Sequence, residues 1–263
     1  MGQFFSGNNN ITFSENKHYT INSHHQINSH HPMIFPEKKT VQIKSDDPVK
    51  STKQKYKIGE NLEIKFINSF NESIGEKEIE KFRCYNKIIF GYSFNQLIGG
   101  KIPGNVIFIQ FGHNFNKSIE MIVIENEEDN IQELVLGEKF DQPVNNISPN
   151  LKKITFGYDF NQSVENLPNK LEYIKFGNNF NKCIDYLPCS LTNIIFGNNF
   201  NQSVDNLPTS VILIGLSGQN FDLPITNLPI GLKKINLNKI YYEKNKNKID
   251  EITNDNEFVE ISY

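Results

Sequence analysis

The chain has 263 residues, of which 37% are hydrophobic, and a formal net charge of −3; its mean hydropathy is −0.48. No apolar run approaches the roughly 20 residues that a membrane-spanning helix needs, and a near-neutral charge supplies no global field to draw the chain onto nucleic acid. Three cysteines, Cys84, Cys183 and Cys189, stand in no metal-ligand or disulfide spacing, an unpatterned odd set that points to a reducing compartment and so to the cytoplasm.

Residues 1–59 form a low-complexity segment without a repeat period. Ile21–His25 (INSHH) recurs at once as Ile27–His31. Polar sequence of this kind buries too little apolar surface to offset its entropy, so the segment is expected to be largely disordered. Strand character at Thr40–Lys44 and Tyr56–Ile58 is expected to cap the repeat array that begins near Glu60. The N-terminus has no basic stretch followed by an apolar one, so no secretory leader is expected. His18, His24, His25, His30 and His31 suggest no rigid geometry or supporting shell, and no metal is expected there. Met1–Ser6 (MGQFFS) fits the pattern for N-myristoylation at Gly2. Membrane contact is expected only if Gly2 is acylated, and one acyl chain binds marginally without a second signal.

From about Glu60 to Asn238 the sequence repeats. Three units are almost in register: LKKITFGYDFNQSVENLPNK, LEYIKFGNNFNKCIDYLPCS and LTNIIFGNNFNQSVDNLPTS, with Phe160, Phe180 and Phe200 at the same place in each. A fixed period in this range is the mark of a solenoid. In Leu171–Ser190 the segment around Ile174–Phe176 alternates as a strand does. Gly177 is read as a sharp turn after it, and Pro188 as the end of the coil, since it has no N–H to give a ladder. No single coil can outweigh its own ordering entropy, so several must fold together. Degenerate coils precede the regular ones, with Phe66, Phe90-Gly91, Phe111-Gly112 and Leu136-Gly137 as landmarks, and an acidic insertion runs from Met121 to Asn130. An irregular coil and a last strand at Leu232–Leu237 come after them. Residues 239–263 are read as a C-terminal cap and polar tail, since terminal units must shield the core. The expected fold is mainly β: a solenoid of about eight coils, a parallel sheet on one face, and little helix.

The phrase Phe-Gly-x-x-Phe-Asn-x-x-Ile/Val, closed by Leu-Pro, resembles the FNIP repeat, a leucine-rich-repeat-like family of social amoebae and of large DNA viruses that infect amoebae. Phe140–Val144 (FDQPV) is the nearest to its core motif, with Ser163, Cys183 and Ser203 at the proline position elsewhere. Leu171–Asn179 and Leu191–Asn199 also fit the opening L-x-x-L-x-L-x-x-N of a leucine-rich repeat. The resemblance implies a non-catalytic interaction module with a protein partner, in the host cytoplasm where the member is viral. Some relatives join an F-box to the repeats and serve ubiquitin ligation as substrate-recognition subunits. Residues 1–59 lack the Leu-rich helical period of an F-box, so that role stays the alternative.

Asn71, Asn95, Asn116, Asn161, Asn181 and Asn201 occupy one site in successive coils and are read as a structural ladder to the backbone of the adjacent turn, with Asp141 and Asp222 in the same role. Glu165, Asp185 and Asp205 recur as a solvated edge. A column of like charges is a poor acid/base pair, no hydrolase, Walker or zincin motif occurs, and neither an enzyme nor a cofactor is expected. Cys183 is read as a small semi-buried residue and His113 as an exposed turn residue. The informative set is the outward strand face: Lys87 and Ile89, Phe108 and Gln110, Glu133 and Val135, Lys153 and Thr155, Tyr173 and Lys175, Asn193 and Ile195, then Leu213. It varies from coil to coil while the core does not, and it mixes lysines with apolar and aromatic side chains. Such a row marks a partner site.

Overall fold

The computed structural model describes the backbone at residues 10–13, 17–20, 39–43, 62–120, 130–254 and 259–263, with side chains within 62–120, 130–253 and 259–263. Strands β1 (Asn10–Phe13) and β2 (Lys17–Thr20) pair antiparallel inside the segment expected to be largely disordered. The rest of that segment, apart from β3 (Lys39–Ile43), lies outside the described residues. So do Gly2, the histidines at 24, 25, 30 and 31, the side chain of His18, and residues 121–129 of the insertion.

Beginning at β3 the chain builds one parallel sheet. Its strands are β4 (Leu62–Phe66), β5 (Lys87–Ile89), β6 (Phe108–Gln110), β7 (Glu133–Val135), β8 (Lys153–Thr155), β9 (Tyr173–Lys175), β10 (Asn193–Ile195), β11 (Leu213–Leu216), β12 (Lys234–Leu237) and β13 (Glu260–Ser262). With β3 at one edge and β13 at the other they form an 11-stranded sheet, in which each inner strand pairs with its predecessor and its successor in sequence. The eight steps from β4 to β12 are the eight coils of a leucine-rich-repeat-like solenoid.

Side-chain alternation decides what each coil buries. The central residues Ile64, Ile88, Ile109, Leu134, Ile154, Ile174, Ile194, Ile214 and Ile235 lie in register and are all buried. Behind them two aromatic columns run down the solenoid. The outer one stacks Phe70, Phe94, Phe115, Phe140, Phe160, Phe180, Phe200 and Phe221, with ring centroids 5.9–6.3 Å apart. The inner one holds Phe66, Phe90 and Phe111, then resumes at Phe156, Phe176 and Phe196. Leu136 interrupts it. In the regular coils the two columns touch, with Phe176 and Phe180 3.7 Å apart at their centroids.

The glycine column corrects one expectation. A Cβ on Gly112, Gly137, Gly157, Gly177 or Gly197 would overlap the carbonyl oxygen of the glycine one coil earlier. Among the described glycines only Gly100 has a positive φ, 149°. Gly177 is thus required by the close approach of two backbones and not by a turn that only glycine can make. Pro188 has a second role as well: its carbonyl accepts the N–H of Leu191 at 3.0 Å, and Pro168, Pro208 and Pro229 do the same for Leu171, Val211 and Leu232. Each Leu-Pro opens a β-turn that returns the chain to the sheet.

Both ends of the array depart from the repeat. In the first coil, helix α1 (Glu76–Ile79) and a 3-10 turn (Glu80–Cys84) bury Ile79 and Phe82. At the other end, residues read as a C-terminal cap and polar tail form helix α2 (Lys239–Asn254). The Asn238 side chain accepts the N–H of Ile240 at 2.9 Å, as an N-cap does. Tyr241, Ile249 and Thr253 lie along one side of the helix and are buried. Tyr241 meets the end of the outer aromatic column, 5.0 Å from Phe221, and its hydroxyl donates to the Leu223 carbonyl at 2.8 Å. The chain then returns as β13, parallel to β12.

Candidate protein-interaction face

Because the central residue of each strand points into the core, its two neighbours point out. Register aligns these neighbours into two columns. One runs Glu63, Lys87, Phe108, Glu133, Lys153, Tyr173, Asn193, Leu213, Lys234, Glu260; the other runs Lys65, Ile89, Gln110, Val135, Thr155, Lys175, Ile195, Gly215, Asn236, Ser262. The thirteen residues singled out from sequence all lie in these columns. Glu63, Lys65, Lys234, Asn236, Glu260 and Ser262 extend the face. The alternation in Leu62–Phe66 and Lys234–Leu237 carried the signal for the first four. Glu260 and Ser262 follow a helix, and no repeat position points to them.

The face is more shaded than an outward column suggests. Of the thirteen, only Lys153 and Lys175 are exposed; Phe108, Tyr173, Ile195, Leu213 and the rest are half-buried. Strands lie about 4.8 Å apart, so each side chain leans on the next coil's. At Gly215 the second column has no side chain, and Ile195 covers the gap.

The charges at the two ends of the face are internally matched. Lys65 pairs with Glu63 at 2.8 Å and Lys234 with Glu260 at 2.5 Å, while the Lys87 ammonium sits 5.4 Å from the centre of the Phe108 ring. Between them, Lys153 and Lys175 have no ion-pair partner among the described residues. Burial, and then the Glu133 carboxylate, raise the Tyr173 phenol above its ordinary pKa, so it stays an O–H donor.

The other singled-out residues serve the frame. The backbone N–H of Asn95 donates to Asn71 Oδ1 at 2.8 Å, that of Asn116 to Asn95 at 2.9 Å, Asp141 to Asn116 at 3.0 Å, Asn161 to Asp141 at 2.9 Å, Asn181 to Asn161 at 2.9 Å, Asn201 to Asn181 at 2.9 Å and Asp222 to Asn201 at 3.1 Å. One oxygen per coil thus ties it to the next. The acidic edge is only partly solvated. Asp205 accepts from the N–H and hydroxyl of Thr226, at 2.8 and 2.6 Å, and from the N–H of Asn227 at 3.0 Å. Cys183 is exposed where a semi-buried residue was expected; its thiol donates to Asp185 at 2.9 Å, and that bond pushes its pKa up. His113 is half-buried, its ring stacked 4.6 Å from Tyr92 beside an open groove of about 650 Å³ that also meets Lys65, Ile89 and Gln110. Among the described residues no cluster of His, Cys, Asp and Glu could hold a metal, and no helix is long and apolar enough to cross a membrane.

Residues 143–179 and 163–199 match the FNIP Repeat family. The chain is also similar to CroV588, a circular LRR protein known from its crystal structure. The two are 30% identical with a TM-score of 0.56 over 67% of this chain and 30% of CroV588, so the chain spans about a third of that protein's length. No curated protein matches.

Proposed function

We propose that this chain, a leucine-rich-repeat-like protein carrying FNIP repeats, is a non-catalytic module that binds a protein partner on the outward strand face of its solenoid. Solenoids of this kind are commonly interaction scaffolds, and that is the general ground for the reading. The observation that carries it is the contrast within each strand: the central row is Ile or Leu throughout, whereas the flanking columns change chemistry at every coil. Packing accounts for the first pattern. A face that had only to be a sheet would not need the second. Half-buried Phe108, Tyr173, Ile195 and Leu213 would act as preordered anchors, since little rotamer freedom is left to lose on binding. The test is capture of partners from amoebal cytosol by the native chain and by Tyr173→Asp/Ile195→Asp, both shown to be folded by circular dichroism. A partner held only by the native chain supports the reading; equal capture by both removes the strand face from consideration.

A further inference from the structure

We propose that the centre of the strand face is a receptor for an acidic peptide segment, with Lys153 and Lys175 receiving a carboxylate and Ile195 and Leu213 receiving an apolar side chain that follows it. This rests on the strand face being the binding surface and adds the chemistry of the partner.

Register brings the four central groups together. Lys153 aligns with Tyr173, and Thr155 with Lys175. Lys153 and Thr155 lie two apart on β8, and Tyr173 and Lys175 two apart on β9, so all four side chains emerge on the same side. They form a two-by-two array on adjacent strands, with an ammonium at each end of one diagonal and a hydroxyl at each end of the other. Every group in it donates hydrogen bonds, and both cations are exposed.

What distinguishes this array is that neither of its ammonium groups closes an ion pair among the described residues. The other lysines of the two columns are engaged: Lys65 by Glu63, Lys87 by the Phe108 ring, Lys234 by Glu260. Lys153 and Lys175 are the two that close no ion pair with a described acid. Glu133 stands one strand before Lys153 and Glu172 one residue before Tyr173, and neither closes an ion pair with them. Along the solenoid axis the face runs acidic at Glu133, doubly basic at β8 and β9, then apolar at Ile195 and Leu213. A segment lying across the strands meets these in order. Its complement is an acidic residue with an apolar one beyond it, and a second acid opposite Glu133 is disfavoured.

The probe is a display library of random short peptides, selected on the full chain at low and at high salt. Peptides enriched in Asp or Glu are expected, with binding that weakens roughly tenfold for each of Lys153→Gln and Lys175→Gln, the size of one hydrogen bond to a charged group. The Lys153→Glu/Lys175→Glu chain is expected to select Lys- or Arg-bearing peptides instead. Circular dichroism on each variant separates lost binding from lost folding. If the selected peptides depend on Tyr173 and Ile195 but carry no acidic preference, or ignore the lysine changes, this inference is overturned and the strand-face reading stands. If no selected peptide depends on any of Lys153, Lys175, Tyr173 and Ile195, both fall together.

Discussion

The side-chain oxygen of Asn161 accepts the backbone N–H of Asn181, one coil further on, at 2.9 Å. The same bond recurs from Asn71 to Asp222, and at Asp141 a carboxylate replaces the amide without changing its length by more than a tenth of an ångström on either side. The ladder therefore requires an acceptor, and the amide nitrogen is dispensable. Asn161→Ala is expected to hand the exposed Asn181 N–H to water and to cost about 0.5–1.5 kcal/mol. Asn161→Asp is expected to cost much less. Thermal unfolding of the two variants beside the native chain checks this: equal losses would mean that the oxygen is not what matters.

The glycine column makes a sharper prediction. Gly177→Ala would drive a methyl into the Gly157 carbonyl, whereas a methyl at Gly99 would meet its nearest atom, the Ile74 carbonyl oxygen, at an ordinary 3.6 Å. The first substitution is expected to destabilise by about 3 kcal/mol or more, as overpacking against backbone does, and the second to stay within about 1 kcal/mol. Urea titration of both, read at constant m-value, would show whether the difference exists.

Helix α2 is expected to be part of the cooperative unit. Removing the Tyr241 ring leaves Phe221 uncovered, so Tyr241→Ala should cost about 3–5 kcal/mol. Tyr241→Phe keeps the packing and loses the bond to Leu223, for about 1 kcal/mol. Hydrogen exchange gives the independent check: amides of β12 and β13 should lose protection first in Tyr241→Ala. Unchanged protection there would show the helix to be an appendage.

Asp205 links the regular coils to the irregular one after them, and its ionisation should be felt in stability. Burial raises its pKa, but the bonds from Thr226 and Asn227 outweigh burial and hold it below the ordinary carboxylate value. A depressed carboxylate contributes stability that is present above the unfolded pKa of about 3.9 and is lost as the pH falls through the folded one. Measured from neutral pH downward, the gap in unfolding free energy between the native chain and Asp205→Asn should hold steady to about pH 4 and then close. A gap that stays constant into strong acid would mean that the carboxylate charge plays no part.

Much of this molecule is legible in its sequence because a solenoid is built from local rules repeated. Ile174, Phe176, Phe180 and Ile184 recur at a fixed period, and alternation alone says which of Tyr173, Ile174 and Lys175 points inward. The sequence by itself therefore determined the coil, its core, the two outward columns and the position of the asparagine ladder. Three things needed the tertiary structure. The first is the reason for Gly177, which lies in the backbone of another coil, at Gly157. The second is the form of the end cap, a helix: α2 buries only a few residues in an otherwise charged helix, and its amphipathic pattern becomes meaningful once Phe221 is there to be covered. The third is the charge state of the face. Five lysines stand in outward positions, and only the distances in the folded chain separate Lys65, Lys87 and Lys234, which are engaged, from Lys153 and Lys175, which close no ion pair. Local periodicity places a side chain on a surface, but whether its charge is already satisfied depends on side-chain geometry that, for Lys87 and Lys234, involves a neighbouring strand.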